Sequence, residues 1–398
     1  MSKVKQRISS RERMLAALNC QAPDHPPCSF MIFGALHQKA STYRAFVEQQ
    51  IALGLDTCVM LPPRPPVVVN DHYNLYGLPV AYAPEVTIEE SVTYPPDEDV
   101  AVLVKTYHTP AGDLITRVRQ TDDWRWGEHM PFLDDYLIPR SKQFILQEPD
   151  DLAPFQYLLQ PPSDPEIAAF KHESAPLLAY AREHNLLTTG GWGVGADMIG
   201  WVHGLDNLVY GIYDRRAFIR DLLAMIGIWN RQRMAVVLEA GVDLFIKRAW
   251  YENTDFFSPA AWEDLIQPEL QQDVDLAHQA GAKFGYIITA SAMPLLEKIA
   301  SVGVDVIIGV DPHAYDLQDT KHKLGGRVCL WGGVNGHLTV EQGKPEAVKA
   351  EVADSLEILG PDGLILSPVD NVREDTPQAL RNVEVLIETW KRKTGQMP

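Results

Sequence analysis

The chain is poor in cysteine, has no long uninterrupted apolar run and carries no excess of positive charge. Its four cysteines, Cys20, Cys28, Cys58 and Cys329, are scattered with no pair at metal or redox spacing. That argues against a disulfide framework or a cysteine-cluster zinc site and fits a reduced, cytoplasmic setting. No apolar run reaches the ~18 residues of a membrane span. The opening MSKVKQRISSRER is charged and lacks an apolar core, so no secretory signal is expected. With 35 Lys and Arg against 53 Asp and Glu, the formal charge is −18. Nucleic-acid phosphates select basic faces, so such a partner is disfavoured.

What is present is 46% hydrophobic residues, gathered in short runs. The stretch 242–290 sets the pattern. VDLFIKRAW (242–250) has the length of a buried strand and breaks into the polar cluster Tyr251-Glu252-Asn253-Thr254-Asp255. Ser258-Pro259 then predicts a helix start, because Ser caps free N–H groups and Pro at the first helical position wastes none. The helix runs to about Ala280, Gly281 stops it, and KFGYIITA (283–290) predicts the next strand. This is one βαβ unit, with chemistry expected where the strands end.

The unit recurs at VDVIIGVDP (304–312), RVCLWGGVN (327–335) and GLILSPVDN (363–371). Upstream, PPCSFMIFG (26–34), LDTCVML (55–61) and LLTTGGWG (186–193) read the same way. Continuous apolar strands alternating with helices predict a parallel sheet covered on its outer face, and eight of them predict a (β/α)8 TIM barrel. Such a barrel needs ~250 residues and the chain has 398. The excess predicts an inserted region between the second and third strands, at 62–181, elaborating one domain that spans 1–398. That region is proline-rich at 62–66 and at 161–162, and TYHTPAGDLITRVRQ (106–120) predicts a hairpin turning at Pro110-Ala111-Gly112-Asp113.

Near the start, Ser9 and Glu12 have capping-box spacing, with Met14, Leu15 and Leu18 on an apolar face, and Asn19 to Pro27 lead into the first strand. This opening resembles the uroporphyrinogen decarboxylase superfamily, which includes decarboxylases and corrinoid-protein methyltransferases. The likeness resumes at Thr109-Pro110-Ala111-Gly112, at 250–268 and at Trp331-Gly332-Gly333-Val334-Asn335. It is densest at 363–377, including Leu366-Ser367-Pro368 and Asp375-Thr376-Pro377. The resemblance implies the barrel independently.

It also implies departures. The decarboxylases grip porphyrinogen carboxylates with an arginine-rich segment after the first strand; here Phe33-Gly34-Ala35-Leu36-His37-Gln38-Lys39 has no arginine. Their aspartate after the second strand would fall near Leu61-Pro62-Pro63, and their histidine five residues before Asp-Thr-Pro is replaced by Asp370. The methyltransferase branch holds zinc with a His-x-Cys pair and a later Cys. Those places hold Ile287, Thr289 and Asp370, and neither Ile nor Thr can ligate zinc. Thiol-bound zinc is therefore not expected.

At the predicted strand ends, Glu252, His313, Asp370 and Asn335 are the candidate catalytic residues. Glu252, His313 and Asp370 could form a metal site of oxygen and nitrogen ligands, and Glu252 or His313 could act as a general acid on a leaving oxygen. Polar residues at strand ends also cap the following helix, and Asp370, Asp375 and Thr376 sit where caps are needed. Trp192, Trp250, Tyr251 and His337 are candidate substrate contacts, since several large rings at loop positions suit a flat ligand. The run Gly190-Gly191-Trp192-Gly193-Val194-Gly195 ends its nearest dinucleotide match in Ala196 and lacks a following ribose-binding acid, so it is discounted. Together these features predict a methyltransferase moving a methyl group from a small donor, such as a methoxylated aromatic, to a corrinoid on a partner protein. An unusual decarboxylase and a silent binder of a flat ligand are the alternatives. A homodimer is compatible with either enzyme.

Overall fold

A computed structural model describes residues 8–62, 78–79 and 81–397. Among the described residues, eleven strands fall into two sheets. Seven form a parallel sheet in the order β1 (Cys58–Leu61), β6 (Leu187–Gly193), β7 (Leu244–Arg248), β8 (Lys283–Ile287), β9 (Val306–Val310), β10 (Cys329–Asn335) and β11 (Leu364–Val369). The other four, β2 (Thr87–Thr93), β3 (Val102–Thr109), β4 (Gly112–Arg119) and β5 (Ser141–Gln143), form an antiparallel sheet that lies between β1 and β6 in the chain. The architecture is α/β and TIM-barrel-like.

Seven of the eight predicted runs contain a parallel strand, each shorter than the run that signalled it. The eighth, 26–34, makes isolated parallel bridges instead, Cys28 with Leu366 and Ile32 with Asn371. Its backbone hydrogen-bonds to β11 and to a residue just before β1. Ser29 N–H donates to the Leu366 carbonyl at 3.0 Å, Leu366 N–H to the Pro27 carbonyl at 2.8 Å, and Asp56 N–H to the Cys28 carbonyl at 2.8 Å. Pro26 and Pro27 lack N–H groups, so this run cannot build a regular ladder from its start.

The strands read as continuous apolar because both faces are buried. Leu187, Leu244, Ile246, Val306, Ile308, Cys329, Trp331 and Ile365 pack into one cluster with Met14 and Leu18 of the first helix, Ser10–Leu18. The alternate residues Phe245, Phe284, Tyr286, Ile307 and Leu330 pack in another, with the helices that cover the sheet. The first helix sits at the strand-start end: Arg11 N–H donates to the Asn185 carbonyl and its guanidinium pairs with Asp243. Ser9 and Glu12 form the expected capping box. Gly190 and Gly191 lie inside β6. A Cβ on Gly191, whose φ is +123°, would come 2.2 Å from the Ile246 carbonyl oxygen, so this glycine serves strand packing.

The hairpin forms as β3 and β4, turning tightly at Pro110-Ala111 with Thr109 opposite Gly112. The proline-rich start at 63–66 lies outside the described residues. Ser258 accepts the Ala261 N–H as the predicted cap, and the helix it starts, Pro259–Leu265, is followed at once by a second, Gln267–Gln279. Among the described residues no helix is long and apolar enough to cross a membrane.

Candidate active site

Where the parallel strands end, the fold encloses a cavity of ≈ 550 Å³. Trp192, Ile246, Ile287, Ile308 and Trp331 line it from the sheet side. Phe30, Phe33, His37, Tyr43 and Phe46 come from the segment before β1, and Arg125, Asp134, Asp135 and Tyr136 from the connection between β4 and β5. Trp250, Asp370, Asn371 and Arg373 complete it. A smaller cavity lined by Arg248, Tyr251, Asn253 and Thr289 shares Asp135, Trp250 and Asp370 with it. An aromatic-lined concavity with a few charged groups is a usual form of a small-ligand site.

Asp370 is the carboxylate best placed for chemistry. It follows β11 with φ of +65°, a left-handed conformation that Asp tolerates better than most residues and that surroundings must hold in place. Among the described residues its carboxylate makes no hydrogen bond or ion pair. It reaches solvent through the cavity, yet enough protein surrounds it to raise its pKa. Desolvation is the largest cause; Asp135 and Glu341 add to the rise, while Arg373 and Arg248 oppose it.

Arg248, fully buried at the end of β7, organises the neighbouring wall. Its Nε donates to Asp197 at 2.7 Å and its Nη2 to Asp135 at 2.8 Å, while the guanidinium lies 4.5 Å from the Trp201 ring centroid and 4.3 Å from that of Trp250. Asp197 also accepts the Tyr251 N–H at 2.9 Å, and Trp201 donates to Asp135 at 2.9 Å. A buried guanidinium is tolerable when both its charge and its N–H groups are met in this way.

The predicted residues divide by location. Trp192, Trp250 and Asp370 line the large cavity and Tyr251 the small one. The Trp192 and Trp250 rings pack at 5.6 Å between centroids. Glu252 is elsewhere: it is 1% exposed and joins Lys247 and Tyr286, whose neighbours in the strands face inward. Its Oε1 accepts the Ala196 N–H at 2.8 Å, starting the helix Ala196–Val202, and Oε2 accepts from the Tyr286 hydroxyl. Lys247 Nζ lies 3.8 Å away and pairs with Asp273 at 2.9 Å. Burial raises the Glu252 pKa, against the lowering effects of Lys247 and Tyr286.

Asn335, His313 and His337 line neither cavity. Asn335 accepts the Leu338 N–H at 2.6 Å, capping the turn that follows β10, and donates to Asp311 at 2.8 Å. His313 lies 2.9 Å from Glu351 and His337 2.8 Å from Glu341, both half-exposed. Among the described residues no group of three or more His, Cys, Asp or Glu is placed to hold a metal ion, so Glu252, His313 and Asp370 are not brought together as ligands. Ile287, Thr289 and Asp370, at the resembling family's zinc positions, do open into the two cavities. Two of the three cannot ligate, and zinc does not fit that set.

Sequence reasoning missed Asp134, Asp135, Asp197, Arg248 and Arg373. Arg248 had a signal: it and Lys247 interrupt an otherwise apolar strand, and cations in a buried strand demand partners. In the sequence Arg125 is marked only by the Trp124 and Trp126 that flank it.

A family model for uroporphyrinogen decarboxylase (URO-D) matches residues 186–393. The chain belongs to the URO-D family. No curated protein matches it at a significant level. Among solved structures it is similar to a methyltransferase from Methanosarcina mazei, 16% identical, with TM-score 0.62, covering 97% of this chain and 99% of that one. At that identity the likeness shows the fold. A putative vitamin-B12 independent methionine synthase from Listeria monocytogenes is 14% identical over 59% of this chain and 72% of its own, with TM-score 0.39.

Proposed function

We propose that this URO-D protein is a methyltransferase with a (β/α)8 barrel, taking a methyl group from a small methoxylated aromatic donor and passing it to a corrinoid on a partner protein. The observation that carries this reading is Asp370, an unpaired carboxylate with a raised pKa facing an aromatic cavity of small-ligand size. The donor ring packs against Trp192 and Trp250. Asp370 in its acid form gives its proton to the methoxy oxygen as the carbon–oxygen bond breaks, so the ring leaves as a neutral hydroxyl compound. The partner's corrinoid supplies the nucleophile that receives the methyl group. A cavity of ≈ 550 Å³ suits the donor alone, so the corrinoid stays on its own protein and approaches the mouth.

The test is methyl transfer from a panel of methoxylated aromatics to a reduced corrinoid protein, followed by the corrinoid's absorbance. Methyl transfer lost in Asp370→Asn supports the reading. Release of carbon dioxide with no methylated corrinoid would establish a decarboxylase instead, and donor binding with neither product a silent binder.

A further inference from the structure

Several polar side chains lining the cavity already have partners in the protein. Tyr43 accepts the Met60 N–H at 2.7 Å, Asn371 the Gly34 N–H at 2.9 Å and Asp134 the Tyr136 N–H at 2.9 Å. Gln50 and Thr189 are different. Both line the cavity and both are buried, 4% and 3% exposed. Among the described residues neither side chain makes a hydrogen bond. Their polar ends are not sealed in the core, so the surface they reach is that of the cavity. The fold brings the two to one side. Gln50 lies on the helix Tyr43–Leu53, which leads into β1, and Thr189 lies in β6 as the register partner of Met60 in β1. The bond from Met60 to the Tyr43 hydroxyl ties that helix to the same strand.

A primary amide offers donors and an acceptor, a threonine hydroxyl offers one of each, and neither carries charge. A hydroxyl on the ligand can give to one and accept from the other without any ion being buried. An apolar ring edge pressed against them would remove their water and leave both unmet, which is the more costly outcome. We infer that the cavity takes a ligand bearing an uncharged hydroxyl, and that Gln50 and Thr189 are the residues that select it. This rests on the methyltransferase reading for the ligand's methoxy group, which makes the donor a methoxyphenol, but the hydroxyl and its two partners are a separate claim. Gln50 and Thr189 bind and orient; they take no part in the bond-breaking step.

Calorimetric binding to the full chain needs neither corrinoid nor turnover, so it separates this claim from the reaction. The tightest of ortho-, meta- and para-methoxyphenol should bind about tenfold or more tightly than methoxybenzene, because only the phenol meets the two groups. Thr189→Val exchanges the hydroxyl for a methyl at nearly constant shape, and Gln50→Met keeps an unbranched chain without the amide. Each should reduce the preference while methoxybenzene binds no more weakly than before. Thr189→Ser keeps a hydroxyl and should keep the preference. In the free protein the Val and Met substitutions should hold or raise the urea midpoint, since the group removed has no partner to lose; a structural amide or hydroxyl would lower it. Equal affinity for methoxybenzene and all three phenols, a preference that survives both substitutions, no binding of any probe, or a lowered midpoint in both variants would overturn the inference. A normal preference with no methyl transfer would instead overturn only the proposed reaction.

Discussion

At the scale of single residues, Asp370 and Glu252 look alike in the sequence, each an acid just past a buried strand. The structure separates them by what surrounds the carboxylate. Asp370→Asn is the direct test, since Asn also accepts a left-handed backbone and adds no strain at φ +65°. Turnover should fall ~10²–10⁴-fold with the urea midpoint little changed. The sign of the pH effect follows from the raised pKa. The acid form persists to higher pH than in an ordinary aspartate, so the rate should be high at low pH and decline as pH rises through the shifted value. The residual rate of the Asn variant should lack that decline. Glu252→Gln should behave oppositely. An amide oxygen cannot replace both carboxylate oxygens toward Ala196 N–H and the Tyr286 hydroxyl, so stability should drop by about 1–3 kcal/mol. Turnover per folded molecule should hold near normal. A collapse of turnover with an unchanged urea midpoint would return Glu252 to the catalytic set.

At the scale of elements, the strand runs and caps were legible because they depend on local rules: apolar length, Ser258 before Pro259, the capping box at Ser9. The hairpin was legible too, although its turn is tighter than the four residues that signalled it. What sequence could not show was that the connection between β4 and β5 delivers Asp134 and Asp135 to the cavity. That placement depends on the buried Arg248, which joins β7, the helix Ala196–Val202 and this connection through Asp197 and Asp135. Arg248→Met removes the charge, keeps much of the stem and leaves Asp197 buried without its cation. The expected cost is about 3–5 kcal/mol, read as a shift in the urea midpoint. Asp135→Asn keeps the hydrogen bonding and should cost far less. A wild-type midpoint in Arg248→Met would mean that Asp197 is satisfied by its backbone donors alone.

For the whole molecule, the sequence pointed to eight strands, whereas among the described residues seven pair in the parallel sheet and the segment 26–34 makes isolated bridges to β11 and its following residues and one bond to Asp56. The difference is physical: a closed ring needs hydrogen bonds around its circumference, and an irregular segment can supply them without forming a ladder. Around this seam the side chains reinforce the backbone. Trp331 Nε1 donates to the Ser29 carbonyl, Trp390 Nε1 to the Pro26 carbonyl, each at 2.8 Å, and Arg13 pairs with both Asp24 and Asp56. We propose that these contacts close the barrel as one cooperative unit. Native-state hydrogen exchange tests it through two of the amides that cross the seam, Ser29 N–H and Asp56 N–H. If the ring is closed, they should exchange only with global unfolding, as slowly as Leu330, whose N–H is bound to the Gly363 carbonyl inside the sheet. Exchange of Ser29 and Asp56 on the timescale of exposed loops, with Leu330 still protected, would mean that the sheet ends at β1 and β11 and that 26–34 merely rests against it.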